Sequence, residues 1–112
     1  MAKPKSRTYS RYTRQAVTLL GLLIRTRRLE QRVQVQELAE RAGISRDLLY
    51  RIEKGDPRVE IGVAFEVAAL VGVPLFAPDL AGVQEHSYRV AEKLALLPQS
   101  VRKDREIVDD DF

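Results

Sequence analysis

Apolar residues recur at steps of three and four along most of this chain, and that spacing predicts amphipathic helices. The pattern predicts a long first helix over about residues 12–32, a short helix over about 35–42, and a nearly apolar helix over 61–71. A further amphipathic helix is predicted over residues 79–97. The expected fold class is therefore all-α.

The first helix is expected to begin at Ser10 or Thr13, because a hydroxyl accepts an amide hydrogen bond from the first turn. Its core-facing stripe is predicted at Ala16, Val17, Leu19, Leu20, Leu23, Ile24 and Arg27. The extension at its start suggests that Tyr9, Tyr12 and Val17 cover another surface, such as a second subunit.

Two short helices joined by a tight turn are predicted between residues 38 and 55. Gly43 closes the first of them, because glycine adopts a positive φ at little steric cost. Ser45 caps the second helix, and Gly55, after Lys54, ends it. The residues expected to face the gap between the helices are aliphatic: Leu38, Ala42, Ile44, Leu49 and Ile52. This pattern predicts a helix-turn-helix, which places its second helix in the major groove of DNA.

The charge distribution agrees with a nucleic-acid partner. The 112-residue chain has a net charge of +3. Residues 1–58 carry 14 Lys and Arg against 6 Asp and Glu, whereas residues 59–112 carry 5 against 10. A basic half that contains the predicted reading helix is expected to bind phosphates.

Other features of the composition narrow the class of protein. The chain has no cysteine, which excludes disulfides and thiolate zinc sites. Its longest apolar stretches are too short to cross a membrane, and its start lacks an apolar signal segment, so the expected location is the cytoplasm, on the nucleoid.

Residues 18–77 resemble the XRE family of Cro and cI-type repressor domains. The resemblance rests on the run from Leu38 to Gly55, on Arg25-Thr-Arg-Arg28 and on Leu70-Val-Gly-Val-Pro-Leu75. It implies a five-helix, lambda-repressor-like DNA-binding domain, here with an extended first helix and an extra C-terminal helix. The short fifth helix of such a domain is expected to begin in Val73-Pro-Leu-Phe76.

The resemblance also implies roles for individual residues. It places three of them at the usual base-reading positions: Arg46, Asp47 and Arg51. The alternative roles of Asp47 are to orient Arg46 and to support the helix cap. The predicted phosphate-binding residues are Gln36, Arg41, Ser45, Tyr50, Lys54 and Arg58. Arg28 and Glu53 occupy the positions of a partly buried ion pair that fastens the first helix to the third.

The chain departs from the family pattern at the start of its second helix. Gln34 and Val35 stand where a Ser or Thr cap and a phosphate-binding Gln are usual. The cap is therefore expected to be weak, and the phosphate contact falls to Gln36 or is absent.

The predicted organisation has four parts. Residues 1–10 form a flexible basic arm, 11–77 the helix-turn-helix domain, 78–97 a C-terminal helix, and 98–112 a flexible acidic tail. The C-terminal helix either packs on the domain or forms a dimer seam, and the sequence does not decide between the two.

No enzyme is predicted. His86 is the single histidine, and no glycine-rich phosphate loop or paired carboxylate motif occurs. The run from Asp109 to Asp111 lacks the spacing of a calcium loop. No catalytic residue, metal site or cofactor is therefore expected.

One domain reads only a few base pairs, so a homodimer on a palindromic operator is expected. Three segments resemble the HipB-like branch: Tyr9 to Arg14, Glu60 to Glu66, and Leu96 to Arg102 with the final Asp-Asp-Asp-Phe. That resemblance implies an antitoxin that binds a HipA-like Ser/Thr kinase toxin and represses the operon they share. The alternatives are a stand-alone XRE-type regulator and a protein-binding adaptor that has lost its DNA affinity.

Overall fold

The computed structural model describes residues 7–101, and the predicted basic arm and acidic tail lie largely outside this range. Within it there are five helices and no β-strand. In chain order they are α1 (Arg11–Glu30), α2 (Val35–Ala42), α3 (Arg46–Glu53), α4 (Ile61–Leu70) and α5 (Leu80–Ala95). The all-α fold class is confirmed. The chain divides into two compact units between Phe76 and Ala77, so α1 to α4 form one unit and α5 belongs to the other.

Three helices begin at a side-chain cap. The Ser10 hydroxyl accepts the Thr13 amide at 3.1 Å at the start of α1, and the Ser45 hydroxyl accepts the Leu48 amide at 3.1 Å at the start of α3. Asp79 caps α5. Gln34, at the start of α2, makes no side-chain cap hydrogen bond, which confirms the weak cap expected there.

The ends of α1 and α2 share one geometry. Gly43 follows α2 with a φ of 69°, and Arg32 follows α1 with a φ of 59°. In both cases the next amide turns back to the helix, as in the 3.0 Å bond from the Val33 amide to the Arg28 carbonyl. This motif satisfies carbonyl groups that the last turn leaves free. Arg32 therefore holds a conformation that glycine usually supplies.

The core lies among α1 to α4. Its buried residues are Ile24, Leu38, Ala39, Leu49, Ile52, Val67, Ala68, Val71 and Val73. α1 lies tightly against α3 at Gly21, where a Cβ atom would lie 2.6 Å from the carbonyl oxygens of Ile52 and Glu53. Only glycine allows this approach, which brings the end of α3 directly against α1.

The predicted inward stripe of α1 is partly wrong. Ile24 is fully buried, but Leu19 is 52% exposed and Leu23 is 43% exposed, and Ala16 is exposed as well. The helix carries apolar residues around much of its circumference, so periodicity alone did not specify which side meets the bundle. Gly21 decides that side, because it permits the contact with α3.

The predicted short fifth helix is absent, because residues 73–79 contain no helical turn. Phe76 has a φ of 71°, which a right-handed helix does not allow. Pro78 disfavours the helical conformation at Ala77, so too few residues remain after Pro74 to build a helix. The ring of Phe76 instead meets the edge of Phe65, with centroids 6.2 Å apart.

The second unit contains α5, in which no residue is buried. Several of its apolar side chains are exposed: Leu80, Tyr88, Val90 and Leu94. Whether this helix packs on the domain or forms a dimer seam stays a prediction. No helix in residues 7–101 combines the length and the apolar character needed to cross a membrane.

Candidate nucleic-acid interface

A buried ion pair fixes the orientation of α3. The Arg28 Nε donates to Glu53 Oε2 at 2.7 Å, and Arg28 Nη2 donates to Glu53 Oε1 at 3.0 Å. Arg28 Nη1 also donates to the Val33 carbonyl at 3.0 Å. The hydrogen bond to Glu53 raises the pKa of Arg28, against the opposing effect of burial. The pair implied by the family resemblance is thus present, and it joins the last turns of α1 and α3.

The N-terminal end of α3 is exposed. Arg46 and Asp47 lie in its first turn, next to the Ser45 cap, and Tyr50 lies one turn later with 47% of its surface exposed. Ser45 uses its oxygen to accept the Leu48 amide, which leaves its hydroxyl proton available to a ligand. The structure therefore presents polar and charged groups together at the N-terminal end of a short, rigid helix.

Asp56 links the end of α3 to the loop that follows it. The Arg51 Nε donates to Asp56 Oδ2 at 2.8 Å, and the Arg58 Nε donates to Asp56 Oδ1 at 3.1 Å. The Arg58 amide donates to the same oxygen at 2.9 Å. The Asp56 side chain is only 12% exposed, whereas those of Arg51 and Arg58 are 49% and 75% exposed. Two outward-facing guanidinium groups are thus fixed on one carboxylate.

The electrostatics of this cluster keep Asp56 ionised. The Arg58 side chain, the Arg58 amide and the Arg51 side chain, in that order, lower the pKa of Asp56 well below its usual range. The hydrogen bond to Asp56 raises the pKa of Arg58. One anion and two cations leave a net positive charge that faces solvent.

The predicted phosphate-binding residues of α2 lie in a different setting. Gln36 is exposed in the first turn of α2, and Arg41 is exposed in its last turn. Arg41 Nη2 donates to Glu37 Oε2 at 2.9 Å within the same helix. No hydrogen bond within residues 7–101 joins Gln36 or Arg41 to the predicted site residues on α3. Lys54, just beyond α3, is exposed.

The sequence reading did not assign a role to Asp56. Its position two residues before Arg58 and next to Gly55 is a local signal for a turn in which the carboxylate accepts a nearby amide. No comparable local sequence pattern predicts the hydrogen bond that Arg51, in the last turn of α3, donates to Asp56. The reading also missed the Val71 carbonyl, which accepts the Arg27 Nε at 3.1 Å and the Gln31 Nε2 at 2.9 Å. These bonds join the end of α1 to the end of α4.

The comparison with protein families agrees with this geometry. Residues 19–77, more than half of the chain, match the family described as helix-turn-helix domain. The chain belongs to this helix-turn-helix domain family. Its function class is that of a DNA-binding regulator. Searches of curated proteins and of solved structures found no significant match.

The matched segment of this helix-turn-helix protein contains all the predicted base-reading and phosphate-binding residues. It begins within α1 and ends at Ala77, next to the boundary between the two units. Most of α5 lies beyond it. The match confirms the helix-turn-helix interpretation and does not specify a branch of such regulators.

Proposed function

We propose that this helix-turn-helix protein is a sequence-specific transcriptional repressor that binds a palindromic operator as a homodimer. The observation that carries the proposal is the exposed N-terminal end of α3, where Arg46 and Asp47 face solvent. That end is held in place from the other end of the helix, where Glu53 is buried against Arg28. Such a rigid, charged helix end fits the major groove, which admits one helix.

Base reading falls to three residues in this proposal. Arg46 suits the O6 and N7 acceptors of guanine, and Asp47 accepts from a cytosine amino group or orients Arg46. Arg51 uses Nε for its bond to Asp56, so its terminal nitrogens remain available to a base or a phosphate. Fixing the Arg51 side chain before binding reduces the entropy that DNA binding costs.

Phosphate contacts set the register and carry no sequence information. The proposed residues lie on α2, on or next to α3, and in the loop that follows α3: Gln36, Arg41, Ser45, Tyr50, Lys54 and Arg58. Ser45 supplies its free hydroxyl proton. Arg58 supplies Nη1, because its Nε and Nη2 donate to Asp56. Two copies on a palindrome are expected to place their α3 helices about 34 Å apart.

Binding to the DNA upstream of the protein's own gene tests this proposal. Fluorescence anisotropy of that duplex against a mixed-sequence duplex of equal length measures specificity. The double variant Arg46→Ala/Arg51→Ala is expected to lose the difference between the two duplexes. The matched control Arg25→Ala/Arg89→Ala removes the same charge from exposed positions on α1 and α5, and it is expected to retain specificity.

Two outcomes would contradict the assignment. Specific binding that survives the Arg46→Ala/Arg51→Ala change would show that α3 is not the reading helix. Absence of binding to either duplex at low salt would favour the alternative of a protein-binding adaptor that has lost its DNA affinity.

We further propose an antitoxin role in an operon of the HipBA type. It is supported by the resemblance of the segments around Tyr9, Glu60 and Leu96 to the HipB-like branch. Co-expression of a tagged copy with the product of the neighbouring gene is expected to recover a HipA-like Ser/Thr kinase. Failure of a kinase to co-purify, together with specific DNA binding, would instead indicate a stand-alone regulator of the XRE type.

A further inference from the structure

A stripe of exposed, uncharged residues runs along α1 on the side that faces away from the bundle. It consists of seven exposed residues: Tyr12, Gln15, Leu19, Leu22, Leu23, Thr26 and Leu29. Four of these apolar side chains, those of Tyr12, Leu19, Leu22 and Leu29, are at least half exposed, with exposed fractions of 86%, 52%, 52% and 54%. The opposite side of the helix carries the buried residues Gly21, Ile24 and Arg28. An uncharged and largely apolar stripe of this length on an otherwise basic helix indicates an interaction surface.

The spacing of this α1 stripe is that of a coiled-coil seam. Its central residues alternate at steps of three and four along the whole helix: Tyr12, Gln15, Leu19, Leu22, Thr26 and Leu29. A helix with such a seam packs against another helix at a small crossing angle. The seam contains no charged residue, so a second helix can cover it without burying an unpaired charge.

The residue types of the α1 stripe follow a similar order from either end of the helix. In an antiparallel pair centred between Leu20 and Gly21, Leu19 lies opposite Leu22 of the partner subunit, and Tyr12 lies opposite Leu29 of the partner subunit. Gln15 then faces Thr26 of the partner subunit, which joins an amide to a hydroxyl. Every layer therefore matches its counterpart in kind, as a two-fold symmetric interface requires.

The antiparallel direction is favoured by the ends of the helix. α1 has no acidic residue in its first turn, where Arg11 and Arg14 add to the partial positive charge of the helix end. A parallel pair would place two such ends side by side. The antiparallel pair instead sets each first turn beside the last turn of the other helix, where the partial charge of the helix end is negative. The two arginines of that last turn are already engaged, since Arg27 donates to the Val71 carbonyl and Arg28 is paired with Glu53.

We infer that this protein forms a homodimer through the α1 stripe, with the two α1 helices antiparallel. The inference deepens the homodimer part of the proposed function by naming its surface. It leaves the reading end of α3 accessible, because α3 packs at Gly21, on the side of α1 that faces away from the stripe. The occupant of the stripe is a second copy of this chain.

Self-association of purified protein without DNA tests the inference. The wild type is expected to sediment as a dimer, and Leu22→Glu is expected to be a monomer, because the change places a charge against Leu19 of the partner subunit on both sides of the axis. The matched control is Leu94→Glu on α5, an exposed leucine of the other unit, and it is expected to remain a dimer. Circular dichroism of both variants verifies that the helices are retained.

Cross-linking determines the direction of the helices. Since the chain has no cysteine, single substitutions give unique probes. Mixing Tyr12→Cys with Leu29→Cys under mild oxidation is expected to yield a disulfide-linked heterodimer, whereas each variant alone is expected to cross-link poorly. Efficient cross-linking of Tyr12→Cys with itself would indicate a parallel pair and would overturn the inference.

Other outcomes also overturn it. They are a monomeric wild type, a Leu22→Glu variant that remains a dimer, and loss of the dimer in Leu94→Glu. None of these measurements uses DNA, so failure of the dimer inference is distinguishable from failure of the DNA-binding proposal. A monomeric Leu22→Glu variant that still binds a half-site weakly would retain the reading assignment of α3.

Discussion

Arg28 and Glu53 lie 25 positions apart in the chain and meet through two parallel hydrogen bonds of 2.7 and 3.0 Å. Both residues are 7% exposed, so the pair is nearly removed from water. Replacing Glu53 by Ala leaves a buried guanidinium without its carboxylate. We expect a loss of about 3–5 kcal/mol in the free energy of unfolding, measured by urea denaturation.

The control for this change is the double variant Arg28→Met/Glu53→Leu. Removing both charges avoids the uncompensated cation, so most of the lost stability is expected to return. A Glu53→Ala variant within about 1 kcal/mol of the wild type would show that the pair does not fasten α3.

Gly21 and Gly62 give opposite predictions for the same substitution. At Gly21 an added Cβ would lie 2.6 Å from backbone oxygens of α3, so Gly21→Ala forces the helices apart. We expect a destabilisation of about 1–3 kcal/mol. At Gly62, in α4, a Cβ meets no atom within 4 Å, so Gly62→Ala is expected to stabilise by up to about 1 kcal/mol through helix propensity. Thermal unfolding that shifts in the same direction for both variants would contradict the close contact at Gly21.

Asp56 is expected to make stability depend on pH. Arg58, then Arg51, lower the pKa of Asp56 below the value of about 3.9 in an unfolded chain. The stabilisation is therefore fully present above about pH 5 and declines as pH falls below about 4. Asp56→Asn is expected to be less stable than the wild type at pH 7, by less than about 1 kcal/mol because both arginines are exposed to solvent. A difference between the two proteins that stays constant down to pH 2 would exclude this role.

Arg46 and Lys54 are expected to affect DNA binding in different ways. Arg46→Ala removes the proposed contact to a base, so it is expected to cost about 1–3 kcal/mol of binding and to relax the preference at one base pair. Lys54→Ala removes the proposed phosphate contact, so it is expected to weaken binding to all sequences alike and to lower the slope of affinity against salt by about 1. Titrations of both variants at several salt concentrations give these quantities. A salt slope equal to that of the wild type would remove Lys54 from the phosphate contacts.

Much of this fold follows from local signals in the sequence. The Ser45 cap, the glycine at position 43 and the apolar spacing of α2 and α3 place two helices and their turn correctly. Each signal acts within one or two turns of chain, where backbone hydrogen bonds and steric limits decide the outcome. The predicted base-reading residues follow from the family resemblance, and their contacts with DNA stay predictions.

Other features depended on how distant segments meet. Apolar periodicity placed Leu19 and Leu23 in the core, but the close approach at Gly21 turns the opposite side of α1 inward. Local signals favoured a helix after Pro74, whereas Phe76 adopts a positive φ and contacts Phe65.

The sequence by itself determined which segments are helical, where the helix-turn-helix lies and which end of the chain is basic, because these properties are local or additive. Tertiary structure decided which side of α1 is buried. It also decided where the last turn of α1 finds the Val71 carbonyl of α4. Those outcomes depend on packing geometry between segments far apart in the chain, which no single stretch of sequence specifies.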